Sequence, residues 1–148
     1  MNEVQQFCRD HHPCEEGARF ALRHKTLAAV WANCERGDWL WWMLRENGLV
    51  TKKLSVSVAI ALAEHVLDIY ESRPRSDDRP RNAIWTAREY LRSPSARTKE
   101  LARAAAMLAA AVAAAYAYAA ADAYAAVAAE RKWQADKIRE LVGSNPFV

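Results

Sequence analysis

The chain has 148 residues, 26% charged and 52% apolar, with four glycines, five prolines and three cysteines. That length suits one domain, 1–148, with a real core, and the absence of any sustained apolar–polar alternation excludes a strand-rich fold. The net charge of +3 is confined to one segment: residues 71–103 carry nine basic and five acidic side chains, whereas 1–70 sum to −1 and 104–148 to 0.

Residues 2–24 read as one or two short helices broken at His12-Pro13, the second opening at Cys14-Glu15-Glu16. Thr26 caps a helix through Cys34, with Leu27, Val30, Trp31 and Cys34 on one face. Gly37 breaks that helix, Asp38 caps the next over 39–47, and Gly48 ends it. Thr51 or Ser55 opens a helix to about Ser72, with an apolar stripe of Leu54, Val58, Ala61, Leu62, His65, Val66 and Ile69. A loop runs from Arg73-Pro74 to Arg79-Pro80, and Pro80 starts a helix to Leu91.

Ser93-Pro94 then supplies an N-cap and N1 proline for a last, alanine-rich helix over 93–142. Gly143 stops it, leaving a tail over 143–148. Eighteen of the twenty-six residues in 104–129 are alanine, and Asp122 is the one charge. Alanine loses almost no side-chain entropy in a helix, and its small face draws neighbouring helices to the short end of the usual 8–10 Å spacing. The expectation is an all-α, compact helical bundle with this helix as its least exposed spine. A membrane span is disfavoured, because alanine adds little to insertion while a central Asp costs about 2.5–3.5 kcal/mol. Tyr116, Tyr118, Tyr124 and Asp122 are expected where their polar atoms reach water or a partner.

Trp31, Trp39, Trp41 and Trp42 fall within twelve residues. Four indoles on one turn divide between core and surface, which leaves Trp41 or Trp42 as a partner anchor, since Trp and Arg dominate interface hot spots. Cys8, His11, His12 and Cys14 do not follow a common zinc spacing and lack a second ligand pair, so neither metal nor other cofactor is expected. The odd cysteine count, and the lack of a basic start followed by an apolar core in residues 1–7, point to reduced thiols and a cytoplasmic location. His65 with Asp68 and a cysteine reads as a core histidine rather than a triad. No glycine-rich phosphate loop or H-E-x-x-H pair is present, and the chain reads as a non-enzyme.

The arginines Arg73, Arg75, Arg79 and Arg81, followed by Arg88, Arg92, Arg97, Lys99 and Arg103, form a basic patch. Asp77, Asp78, Glu89 and Glu100 interrupt it and no aromatic ladder accompanies it, so it reads first as a solvated basic loop that pairs internally, next as a surface for an acidic protein partner, and last as a nucleic-acid site. The partner surface is therefore expected to combine Arg73, Arg75, Arg79 and Arg81 with Trp41, Trp42 and Arg45.

Three motifs occur together in order. They are Trp31-x2-Cys34-x3-Asp38-Trp39-Leu40, then Arg79-Pro80-Arg81-x-Ala83-Ile84, then an alanine-rich helix ending Glu130-Arg131-Lys132-Trp133-Gln134. With the Cys14-x-Glu16-Gly17 start, this order resembles the immunity protein family of bacterial polymorphic-toxin systems, which has phage relatives. The resemblance covers about residues 8–142. It implies a non-enzymatic inhibitor bound to a protein toxin, or a phage-encoded anti-defence blocker bound to a subunit of a host defence complex. The pI near 8.9 points to an acidic or apolar target surface. The alternative is an oligomerisation module, a homodimer paired through the alanine helix.

Overall fold

The computed structural model describes residues 1–71, 78–100, 103 and 124–148. The chain is all-α, and every element among the described residues is a helix. In order, and apart from a helical stretch over 96–100, these are α1 Glu3–His11, α2 Glu15–Ala21, α3 Leu27–Asn33, α4 Gly37–Glu46, α5 Lys52–Glu71, α6 Arg79–Arg92 and α7 Tyr124–Val142. The residues gather in two compact units: Met1–Val50 with Glu130–Val148, and Thr51–Ala129.

In the first unit short polar side chains set where the helices begin. Asn2 and Gln5 form a reciprocal capping box on α1, each backbone N–H donating to the other's side-chain oxygen at 2.9 Å. Its break lies where expected, since His12 takes a left-handed φ of 49° ahead of Pro13. Thr26 caps α3 by accepting from the Ala29 N–H at 3.2 Å. Glu3 reaches across from α1 to accept the Leu27 N–H at 2.8 Å, a second side-chain acceptor for the orphan donors of α3. Gly48 closes α4 with φ +67°, the left-handed conformation that glycine adopts without strain.

One expected cap is corrected. Helix α4 begins at Gly37 behind Arg36, without a side-chain cap, and Asp38 lies inside its first turn, bound to Arg36 instead. Gly37 acts here through close approach. A Cβ at this position would stand 2.6 Å from the Gln134 Cβ and 3.1 Å from the Ala135 nitrogen. Helix α7 thus lies against the start of α4, where Ala135 and Ile138 join Leu40, Met43 and Leu44 among the buried side chains. The tail returns to α3, with Phe147 5.8 Å from the Trp31 ring and Asn145 donating to the Ala28 carbonyl at 3.1 Å.

Arg139 of α7 holds the other end of α3. Its guanidinium donates to the Trp31 carbonyl at 2.7 and 3.0 Å and to the Cys34 carbonyl, and it pairs with Asp136 at 3.0 Å. Those carbonyls lie at the C-terminal end of α3, where no helical donor remains and a cation is favoured by the helix dipole.

In the second unit Thr51 caps α5 by accepting from the Leu54 N–H at 3.1 Å. Helix α5 packs on α6 through Ile60, Ile84 and Ala87, with Val56, Ala63, Leu67, Tyr90 and Leu91 around them. The α5 side of this contact, 56-60-63-67, is a different stripe from the expected 54-58-61-62-65, although Val58 is also buried. Apolar residues occupy most of the circumference of α5, so periodicity alone does not single out the face that meets α6.

The expected start of the alanine-rich helix moves. Ser93 ends α6, its N–H donating to the Glu89 carbonyl at 2.9 Å. Pro94 disfavours helical geometry in the residue before it, and Ser93 is extended at φ −140°. Helix resumes over 96–100 behind Ser95. The Ser95 Oγ accepts the Thr98 N–H at 3.1 Å and the Thr98 Oγ1 accepts the Ser95 N–H at 2.8 Å. Residues 101–102 and 104–123, with Tyr116, Tyr118 and Asp122, lie outside the described residues, so the expected spine over 93–142 is described only in part. Among the described residues no helix is long and apolar enough to cross a membrane.

Candidate functional site

Two features of the described residues can hold a partner: an apolar cleft in the first unit and an exposed face of α6 in the second. The cleft encloses about 400 Å³ among α1, α2, α3 and α4. Phe7, Phe20, Trp39, Trp42 and Met43 line it together with Cys8, Cys14 and Cys34. Trp39, Trp42 and Met43 share a wall, as their spacing predicts. Trp42 meets the Phe7 ring edge-on at 5.5 Å, and Trp39 lies 5.8 Å from Phe20.

Arg36 and Asp38 supply the polar edge of the cleft. The Arg36 Nε and Nη2 donate to the two Asp38 carboxylate oxygens at 2.9 and 2.6 Å, and the guanidinium lies 4.4 Å from the Trp39 ring centre. This fork holds the Asp38 carboxyl below the usual carboxylate range, chiefly through the hydrogen bond itself. The thiols are shifted the other way, since burial raises both Cys8 and Cys34. A raised thiol stays protonated and is a poor nucleophile. Apart from the Arg36–Asp38 edge the lining is mainly apolar, so the cleft can enclose an apolar group.

The sequence-predicted residues divide between the units. Trp41 and Trp42 are half-buried on α4, and Arg45 is exposed beside them. Arg45 pairs with Glu46 at 3.2 Å, and Glu46 in turn binds the His11 Nδ1 at 3.2 Å. That contact with His11, reinforced by Arg45, lowers the Glu46 carboxyl below its ordinary value. Arg81 is exposed on α6, Arg79 opens that helix with its backbone, and Arg73 and Arg75 lie outside the described residues. His65 is half-buried. Among the described residues no group of three or more His, Cys, Asp or Glu side chains is placed to hold a metal ion.

The α6 face contains a residue that sequence reasoning passed over. Trp85 is 63% exposed, the most exposed large aromatic among the described side chains. It stands in a row with Arg81, Arg88 and Arg92, at steps of four, three and four, which is one face of an α-helix. The core residues Ala83, Ile84 and Ala87 occupy a different face. Arg88 pairs with Glu64 of α5, and the Arg92 Nη1 with the Glu89 Oε1 at 2.7 Å. The helical phase of Trp85 relative to Ile84 and Ala87 was the available signal, hidden behind the denser tryptophan cluster of α4. Compared with protein-family models, with curated proteins and with solved structures, the chain finds no match.

Proposed function

We propose that this chain is a non-enzymatic inhibitor that works by binding another protein, in the manner of the immunity proteins its motif order resembles. The observation that carries the reading is Trp85, held 63% exposed in a row of arginines on α6. Exposing an indole forgoes its hydrophobic burial, and packing α5 on α6 requires no tryptophan on the outer face. Trp and Arg are also the side chains that most often dominate binding energy at protein interfaces. The target is a protein toxin or a subunit of a defence complex, met in the cytoplasm.

The test is a photo-crosslinking amino acid in place of Trp85, expressed in the native host, followed by identification of what it captures. The expected result is one predominant protein whose activity the purified chain then inhibits at stoichiometric amounts. Capture of no protein from position 85, or of one whose activity is unchanged by excess chain, contradicts the reading.

A further inference from the structure

We infer that the α6 face receives an acidic segment of the partner, whose carboxylates replace those of Glu64 and Glu89 on Arg88 and Arg92 while an apolar side chain settles on Trp85. This rests on the protein-binding reading above and names the chemistry of the partner. Four arginines and one glutamate give α6 a charge of +3, equal to the net charge of the entire chain. The row from Arg81 to Arg92 covers roughly 16 Å at about 1.5 Å per residue, with Trp85 within one turn of Arg81 and Arg88.

Arg88 and Arg92 already grip carboxylates, and do so in water: their side chains are 54% and 73% exposed. Exposed ion pairs of this kind contribute little to stability, so exchanging Glu64 or Glu89 for a partner's carboxylate loses little on the free side. On the bound side the same contact is shielded by the indole and the partner, where charge pairs gain strength. The complementary segment therefore bears Asp or Glu one turn to either side of an aliphatic or aromatic residue. Nucleic acid fits less well. A single indole offers no stacking ladder for successive bases.

The test pans a phage-displayed library of random 16-residue peptides against the full chain, and measures the selected peptides on variants by fluorescence anisotropy. The proposal expects enriched peptides with several Asp or Glu around an apolar residue. Affinity should fall at least tenfold on Trp85→Ala and on the Arg88→Gln, Arg92→Gln pair, and rise about threefold on Glu64→Gln, which leaves Arg88 open. Urea unfolding of each variant checks that the fold persists. Enrichment of neutral or basic peptides, no enrichment, or acidic peptides that bind all variants equally would overturn it. Tighter binding of an 18-nucleotide single strand than of the acidic peptides at 150 mM salt would do so too. If acidic peptides select as expected but no protein captured from position 85 is inhibited, the inhibitor reading fails and this one stands. A captured, inhibited partner whose contact segment is not acidic defeats this one alone.

Discussion

Gly37 shows how one missing methyl group can decide the packing of two helices distant in sequence. Between Cys34 and Asp38 it reads as a helix breaker. In the fold it is buried inside the first turn of α4, with the Gln134 Cβ only 2.6 Å from where its own Cβ would be. Nothing in the local pattern reveals this, because the constraint comes from a helix about a hundred residues later. Gly37→Ala should cost about 1–3 kcal/mol as an overpacking change, seen as a lower urea midpoint at unchanged slope. An unaltered midpoint would mean that α7 does not approach this closely. Asp38 yields a pH prediction. Its carboxyl is held down by Arg36 when folded, so on acidification the unfolded chain takes up this proton first, near its ordinary value of about 3.9. The pair's contribution is present above that pH and is lost as the pH falls through the lowered folded value. Asp38→Asn should therefore lower stability near neutrality by less than about 1 kcal/mol, since the carboxylate is half exposed. The difference from the parent should close below about pH 4 in urea titrations at stepped pH. A difference that instead widens on acidification would contradict the assignment.

Several helix boundaries were legible from local chemistry, whereas Asp38 and Ser93 did not cap as expected and the long-range clasps were not legible. Thr26, Thr51, Pro80 and the left-handed Gly48 and Gly143 lie where their residue types place them. Ser95 supersedes Ser93 as the cap, its Oγ and N–H exchanging hydrogen bonds with Thr98. The stripe of α5 that meets α6 was not singled out by periodicity, because apolar residues run around most of the helix. Arg139 went unseen, since a lysine- and arginine-bearing stretch in α7 looks like an ordinary solvated face. Yet its fork binds two carbonyls at the end of α3. Arg139→Ala should cost about 2 kcal/mol, the order expected for hydrogen bonds to a charged donor. Arg139→Lys should recover only part of it, because an ammonium cannot reproduce the planar fork. Thermal unfolding of the three proteins checks the order. Equal melting temperatures for the parent and Arg139→Ala would remove the clasp from the account.

For the molecule as a whole, the all-α class follows from composition and periodicity. The candidate site was legible only in part. Sequence pointed to arginines, several of which fall on α6, and to tryptophans of α4, whereas the exposed indole is Trp85. Trp42 is instead engaged with Phe7 in the wall of the cleft. The two tryptophans thus have opposite expected profiles, and measuring both tests the central claim most directly. Trp85→Ala and Trp42→Ala are compared for urea midpoint and for affinity toward the protein captured from position 85. Trp42→Ala is expected to lower stability by about 2 kcal/mol, less than a fully buried tryptophan would, with affinity nearly kept. Trp85→Ala is expected to leave the midpoint within about 0.5 kcal/mol, as for exposed positions generally, while affinity falls at least tenfold. The reverse pattern, with Trp85→Ala unfolding the chain or binding unharmed while Trp42→Ala abolishes it, would contradict α6 as the functional face.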